Sequence, residues 1–548
     1  MSLKEDEKEY TGFQALYFSA LDSDVSLITG VPGYPITSLM ELFLEKSDAT
    51  YNARWFTNEK VSLEIALGAS VSGRRALVLV KHVGMNLLSD PLITSVTHTI
   101  GAGLVIIAGD DPGVKGSQNE QDSRWYGRIA EVAVFDPVDA DTAYRALRRA
   151  YELSEETKTP VVLRVTAGLE KSKGKIKLLP KALAPHPEFD RSIWKNRMVE
   201  KHQLFHSRVY PLLEAEAENT NMNKLREGTR ERAENGRKSD LSNGLVGIIS
   251  SGFVSSIVEK TLRKQDFKKQ NLYPEISHLS LSLVNPLPLG KIRTFLNSNQ
   301  KVLVVEESEP FIEEQIRITG NVYGKKTGHL PYGQIASEDI EFALEHMGEE
   351  EVSKPVDTAI FQTGSKERAT ICDDCPYLSL YRFLSTLDVG VAGDMGCSVR
   401  SAPEPLKAVD VSFALGSAIS VACGFEKKGI AVIGDFALAH SGILGLLSAA
   451  TAGFEVLVLV LQNEVAAMTG GQEVPDLKKV VEAIIPDVSV FNIDLIEVKA
   501  ADRIEGEKET ACKKEKQLPT PELSEMIRDK LALPGISVIF IKGRCRKY

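Results

Sequence analysis

The sequence predicts an α/β protein built on parallel sheets, and three observations carry that prediction. Three segments alternate strand-like apolar runs with helix-period stretches, the pattern of parallel α/β architecture. Two distant stretches, 76–111 and 430–464, share one plan: a buried strand, a polar loop with His and Gly, an apolar helix, and a second buried strand ending in acid or amide groups. The composition is that of an ordinary globular chain, with 43% hydrophobic and 26% charged residues over 548 positions. At ~150 residues per domain this length predicts three to four domains.

Taken in order, the first α/β segment occupies 1–180 and contains the strand-like runs Ala76–Val80 and Gly103–Ala108. A helical arm and charged linker fill 181–243, with Glu, Asn, Lys and Arg dense from Glu214 to Asn243. An intervening α/β segment spans 244–350 and includes Leu245–Ser250 and Lys301–Glu306. The last segment, 351–548, ends in the strand Ile536–Ile541. Ligands of open parallel sheets sit beyond the carboxyl ends of the strands. Two related domains are therefore expected to hold one extended cofactor between them.

Charge and patterning exclude several classes. There are 65 basic and 75 acidic side chains, a net charge of -10, so a basic footprint for nucleic acid or anionic lipid is absent. No run of about 18 apolar residues predicts a membrane span. The opening MSLKEDEKEY is too charged for a signal peptide, and the expectation is a cytoplasmic protein. Six cysteines are too few for a secreted disulfide scaffold.

The chemistry-bearing pattern lies in the last segment. Gly434-Asp435 follows the strand Ile430–Ile433, and Asn463 ends the next strand 28 residues later. A carboxylate and an amide oxygen at adjacent strand ends suit a hard cation such as Mg²⁺, which keeps positions for phosphate oxygens. Gly434 before the acid permits close backbone approach to a diphosphate. The span is similar to the thiamine diphosphate motif, with Phe436 where that motif has a small residue, and Ala467–Gln472 follows it.

Further stretches make the resemblance specific. They are Pro32–Thr37, Thr57–Lys60, Lys81–Gly84, Asp110–Asp122, Val305–Gln315, Gly393–Cys397 and His440–Gly442. In these the chain resembles the alpha subunits of indolepyruvate ferredoxin oxidoreductases, within the 2-oxoacid:ferredoxin oxidoreductase superfamily. The resemblance implies a thiamine diphosphate-binding fold, with related pyrimidine- and diphosphate-binding domains and an intervening domain like the transketolase C-terminal one. It implies Mg²⁺ held by Asp435, Asn463 and the Val465 carbonyl. Gly393, Asp394, Gly434, Phe436, His440, Met468 and Thr469 are the remaining cofactor contacts expected. Gln462 and Glu464 stand where the family commonly has Asp and Arg, which changes local diphosphate and substrate contacts.

Thiamine diphosphate reacts at its thiazolium C2, and a buried glutamate on the aminopyrimidine promotes loss of the C2 proton. Family register places that glutamate at Glu59, nine residues before Gly68-Ala-Ser70; Glu64 on the same helix is the rival. Thr37, in the loop with Tyr34 and Pro35, is the expected substrate-facing hydroxyl, although turn chemistry also accounts for Gly33-Tyr-Pro. Lys81 and His82 close a buried strand, either as charge for an anionic substrate or, for His82, as a satisfied structural group. His440 is a pocket donor or a cap for the helix beginning at Ser441. Tyr34, Phe436 and Met468 point to an apolar substrate pocket.

Cys372-Asp-Asp-Cys375 has the spacing of metal-binding thiolates, with Cys397 22 residues later and Cys545 after the last strand. Ligand chemistry alone allows a [4Fe-4S] cluster or structural zinc. The resemblance implies one [4Fe-4S] cluster on Cys372, Cys375, Cys397 and Cys545, with Cys423 and Cys512 apart. It also implies oxidative decarboxylation of a 2-oxoacid, an aryl pyruvate such as indolepyruvate, to an acyl-coenzyme A, with electrons passed to ferredoxin. A smaller beta subunit and a dimer of heterodimers are expected. The chain stops at Tyr548 without the family's ferredoxin-like domain, so electrons are expected to leave through a separate ferredoxin or a partner. The rival readings are a non-oxidative 2-oxoacid decarboxylase and a non-catalytic subunit retaining the fold.

Overall fold

A strand covered by helices on both faces needs apolar side chains along its whole length. Ala76–Lys81, Leu104–Asp110 and Val161–Thr166 meet that condition and are buried almost throughout. A computed structural model of the chain describes residues 7–46, 50–117, 119–185, 197–227, 246–263, 276–317, 321–349, 352, 370–493 and 519–548. Cys512 and residues 186–196 and 228–243 of the arm and charged linker lie outside them. The chain divides into two compact units, Met1–Val356 and Asp357–Tyr548.

The first unit contains a seven-stranded and a five-stranded sheet. The larger one runs Leu283–Asn285, Val134–Phe135, Val161–Thr166, Leu104–Asp110, Ala76–Lys81, Leu27–Gly30, Asn52–Trp55 across its width. Its strands are parallel except the first, which pairs antiparallel with Val134–Phe135. That antiparallel strand comes from the intervening segment. In return, Lys224–Arg226 of the arm adds an antiparallel edge to the intervening sheet, beside Ser277–Leu281. The two α/β layers of this unit thus exchange edge strands, a long-range pairing that local composition does not encode.

The second unit is built on a five-stranded, all-parallel sheet: Val391–Gly393, Gly429–Gly434, Val456–Gln462, Ile536–Lys542, Val488–Asn492. Gly434, Gln462, Lys542, Gly393 and Asn492 are the last residues of these strands, so their carboxyl ends form one edge. Between Gly429–Gly434 and Val456–Gln462 runs a continuous helical stretch, 435–452, interrupted by a π turn at Leu438–Gly442 that contains His440. The stretch Asp435–Ala452 is long and apolar enough to cross a membrane by length and composition. It nonetheless begins with the buried Asp435, and its inner residues Leu446 and Ala449 pack into the sheet core.

Both expected repeats take the planned form. Ala76–Lys81, the helix His82–His98 and Leu104–Asp110 make a parallel strand pair bridged by a helix. So do Gly429–Gly434, the 435–452 stretch and Val456–Gln462.

Candidate functional site

In the first unit the candidate residues gather where strands end and helices begin. Asn58 caps the helix Glu59–Val71, its side-chain oxygen accepting the Lys60 and Val61 N–H groups. The cap places Glu59 at the first helical position, where it is 6% exposed and favoured by the positive end of the helix dipole. Gly84, in the first turn of His82–His98, faces it: a Cβ there would stand 2.7 Å from Glu59 Cγ and 2.9 Å from Oε1. The rival Glu64 is a surface residue, with a side chain 47% exposed and paired to Lys60 Nζ at 3.0 Å.

Lys81 ends its strand with its stem laid against Gly33, where a Cβ would come 2.9 Å from Lys81 Cβ. Burial lowers its pKa to about 8, outweighing the pull of the Asp111 and Glu59 carboxylates. Glu59, Lys81 and Asp111 therefore form one electrostatic group. Thr37 turns its hydroxyl back on its own loop, donating to the Gly33 carbonyl and accepting the Gly33 N–H at 3.0 Å each. The two rings of the neighbourhood are also engaged. Tyr34 lies under Gly116, whose Cβ would meet the ring at 3.0 Å. His82 is buried with Nδ1 3.3 Å from the Gly109 carbonyl and Nε2 3.1 Å from the Asn119 carbonyl. Burial lowers the His82 pKa, and its nitrogens fix the loop 110–122 to the strand end.

That loop has a second anchor, which sequence reasoning missed. Arg164 binds Asp110 at 2.6 Å and Asp136 at 3.2 Å. Arg124 binds Asp122, Glu306 at 2.8 Å, and the carbonyls of Glu307 and Glu309. Both arginines and the four carboxylates that pair with them are buried. One signal was available: Arg164 interrupts the apolar run Val161-Val-Leu-Arg-Val165, and an arginine there requires carboxylates opposite.

In the second unit Asp435 begins the helix after Gly434, its Oδ1 accepting the Phe436 N–H at 2.8 Å and its Oδ2 the Glu464 N–H at 2.6 Å. Burial raises its pKa to about 6, and those donors pull the other way. Asn463 folds its amide oxygen onto the Val465 N–H at 3.0 Å, and Glu464 takes a left-handed turn at φ 64°. A Cβ on Gly434 would meet nothing within 4 Å, so open space adjoins Asp435. The adjacent cavity, about 310 Å³, is lined by Asp435, Gln462, Glu464, Glu473, Asp476 and Lys542 among others. Four carboxylates against one lysine repel a diphosphate unless a divalent cation joins it. The donor set of Asp435, Asn463 and a backbone carbonyl fits such a hard cation.

The rest of the expected contact set surrounds this edge. Val465–Ala466 pairs with Gln472–Glu473; between them Met468 is exposed, and the Thr469 hydroxyl donates to Gln472 at 3.0 Å, pinning the hairpin. Half-buried Phe436 follows Asp435. Asp394, after Gly393, is buried, accepts the Gly416 N–H and feels the charge of His440; burial lifts its pKa to about 7. His440 Nδ1 lies 3.1 Å from the Ser441 hydroxyl, which donates to the Leu415 carbonyl.

Cys372, Cys375, Cys397 and Cys545 are all free thiols. Burial pushes the Cys375 thiol up to about 12, and charges on Cys397, Cys372 and Cys545 add to the rise. Cys423 feels burial alone. Among the described residues no three His, Cys, Asp or Glu side chains stand grouped as for a single ion. Tyr377 clamps the arrangement: its hydroxyl donates to the Gly543 carbonyl at 2.8 Å, two residues before Cys545. The Gly543 N–H donates to the Gln462 carbonyl at 3.1 Å, beside Asn463.

Comparison with known proteins agrees with this architecture. Residues 388–539 match the family described as thiamine pyrophosphate enzyme, C-terminal TPP binding domain. The chain is 28% identical over 504 residues to the indolepyruvate oxidoreductase subunit IorA of Archaeoglobus fulgidus, covering 86% of this chain and 77% of that one. The subunit of the same name from Pyrococcus horikoshii is 28% identical over 582 residues, covering 98% and 85%. Among solved structures, the 2-oxoglutarate:ferredoxin oxidoreductase of Magnetococcus marinus superposes with a TM-score of 0.49 at 15% identity, over 64% of this chain and 66% of that one. On its motifs, its C-terminal domain and its similarity along most of its length, the chain is similar to the IorA alpha subunits of the 2-oxoacid:ferredoxin oxidoreductase superfamily, and residues 388–539 match a thiamine pyrophosphate-binding domain.

Proposed function

We propose that the chain catalyses thiamine diphosphate-dependent oxidative decarboxylation of a 2-oxoacid, with coenzyme A as acyl acceptor, and passes electrons through one [4Fe-4S] cluster to ferredoxin. The observations that support the reading are the electrostatic influence of Cys372, Cys397 and Cys545 on the Cys375 thiol and the bond from the Gly543 N–H, two residues before Cys545, to the Gln462 carbonyl beside Asn463. Four thiolates suit a cluster or structural zinc by chemistry alone. The register of Cys372, Cys375, Cys397 and Cys545, which is that of the cluster cysteines in the resembling alpha subunits, favours the cluster.

Thiamine diphosphate, when bound, supplies the nucleophilic carbon and the electron sink for decarboxylation. The chain's own groups do the rest. Asp435, Asn463 and the Val465 carbonyl hold Mg²⁺, and so make the acidic pocket acceptable to a diphosphate. Glu59 shares a proton with the aminopyrimidine nitrogen from a buried helix N-terminus, close-packed on Gly84. Lys81, protonated below about pH 8, attracts the carboxylate of the oxoacid. His440 serves as a pocket donor, and the buried Asp394, which feels its charge, lines the neighbouring loop. Thr37 and His82 shape the pocket by holding its loops.

The names of the relatives support an aryl pyruvate as substrate and a beta subunit as partner. Exposed apolar side chains suit such an assembly: Leu444 at 64% and Leu447 at 48% lie on one helix of the second unit. Val61 and Ile65 lie on the Glu59 helix of the first. The test is anaerobic purification with the beta subunit, followed by iron and sulfide analysis and viologen reduction with indolepyruvate, phenylpyruvate, pyruvate and 2-oxoglutarate. About four iron atoms per chain and coenzyme A-dependent dye reduction are expected. Zinc in place of iron, or aldehyde formation without dye reduction, refutes the oxidative reading.

A further inference from the structure

A cavity of about 460 Å³ in the first unit is walled by the helix Val254–Arg263, the strand Ser277–Leu281 and the edge strand Lys224–Arg226. The four-residue spacing of Ser255, Glu259 and Arg263 puts these three on one helix face, and alternation puts His278 and Ser280 on one face of their strand. All five line the cavity.

His278 is buried, with Nδ1 2.6 Å from Glu259 Oε1 and Nε2 2.6 Å from the Ser250 hydroxyl oxygen. Ser250 spends its one proton on the Ser255 oxygen at 2.7 Å, so Nε2 is a donor. The His278 hydrogen bond holds the Glu259 pKa down at about 2, so this carboxylate only accepts and Nδ1 is a donor as well. The imidazole is therefore a buried cation. Glu259 also pairs with Arg226 Nε at 3.2 Å and Arg263 Nη2 at 3.7 Å, so one carboxylate serves three cations. Lys224 and Lys260 line the same cavity, while Asp139, the other carboxylate on its wall, is turned to the Thr142 N–H and hydroxyl. Buried charge short of a counter-ion is costly, and an anion in the cavity removes that cost. The hydrogen-bond chain points the same way. It runs from His278 through Ser250 to the buried Ser255, and among the described residues no acceptor takes the Ser255 proton.

We propose that this cavity binds a phosphate ester, its phosphoryl group held by the Ser255 hydroxyl and the Lys224, Lys260 and Arg263 side chains. Phosphoryl oxygens accept several charge-assisted hydrogen bonds at once and carry close to two charges, which matches an excess of cations over carboxylates. The cavity is larger than phosphate alone requires and falls within the range of small-molecule sites, about 300–1,000 Å³, so the ligand carries an organic group. None of these residues belongs to the set assigned above to cofactor, oxoacid or cluster, and the site stands whether or not the oxidative reading does.

The experiment is isothermal titration calorimetry of the full chain with glycerol 3-phosphate in EDTA, since the acidic pocket at Asp435 accepts a phosphoryl group only with a divalent cation. Saturable binding with a Kd below about 1 mM is expected. Ser255→Ala should weaken it about tenfold, the worth of one hydrogen bond to a charged group. Lys260→Glu, at an exposed position that leaves the buried chain of hydrogen bonds intact, should weaken it about tenfold or more. No saturation by about 10 mM glycerol 3-phosphate, or wild-type affinity in Lys260→Glu, overturns the proposal. If Ser255→Ala does not fold, Lys260→Glu decides alone. Citrate binding at least as tightly as glycerol 3-phosphate overturns the assignment to a phosphate ester.

Discussion

Gly84 lies bare against Glu59: a Cβ added to its backbone would stand 2.7 Å from Glu59 Cγ and 2.9 Å from Oε1. Neither residue can give way at the backbone, since Glu59 is fixed by its helix cap and Gly84 by the first turn of the next helix. Gly84→Ala therefore pushes the carboxylate aside. The expected result is an overpacking cost of about 1–3 kcal/mol in thermal unfolding. Turnover should fall about 100-fold, because displacing a catalytic group by about 1 Å costs that much. A Gly84→Ala protein with wild-type kcat would mean that Glu59 does not act at the reacting centre.

Glu59 and Glu64 separate cleanly by substitution. Glu59→Gln removes a proton-handling group and is expected to lower kcat by about 10²–10⁴-fold. Glu64→Gln removes half of an exposed ion pair and should change stability by less than about 1 kcal/mol, with turnover intact. Steady-state kinetics on the two variants decides between them.

Lys81 predicts a pH profile. Burial holds its pKa at about 8, so its charge is present below that value and lost above it. The kcat/KM for an anionic oxoacid should decline about tenfold per pH unit above pH 8, and Lys81→Met should flatten that limb. Stability runs the other way. Between about pH 8 and the ordinary lysine pKa the unfolded chain binds a proton that the folded chain does not, so stability rises with pH across this window. Thermal melts at about pH 7.5 and about pH 9.5, with and without Lys81→Met, test the sign.

Tyr377 ties the Cys372–Cys375 turn to the last strand through the Gly543 carbonyl. Tyr377→Phe leaves that buried carbonyl short of a donor, at a cost of about 1–3 kcal/mol. The segment carrying Cys545 should then loosen. Alkylation of Cys545 in metal-free protein, followed by mass spectrometry, should become faster than in wild type while the Cys423 rate stays the same.

Leu444 and Leu447 stand one helical turn apart on the exposed face of the 435–452 stretch. Leu444→Glu places a charge in that patch and should dissociate the assembly to a smaller species in multi-angle light scattering, without lowering the melting temperature of the isolated chain. An unchanged mass would remove this face from the proposed interfaces.

Local sequence determined a good deal. The parallel α/β architecture follows from strand runs such as Ala76–Lys81 and Val456–Gln462, whose apolar character, unbroken up to the last residue, leaves no polar face. The placement of Asp435 and Asn463 at neighbouring strand ends follows from the same runs, because adjacent parallel strands bring their carboxyl ends together. Cysteine spacing marked Cys372 and Cys375 as one ligand turn. Tertiary structure decided what remained, because it depends on pairings between residues far apart in the chain. Glu59 was separated from Glu64 by Gly84, 25 positions away, and His82 and Thr37 were engaged by carbonyls that no local pattern identifies. Leu283–Asn285 and Lys224–Arg226 joined sheets outside their own segments.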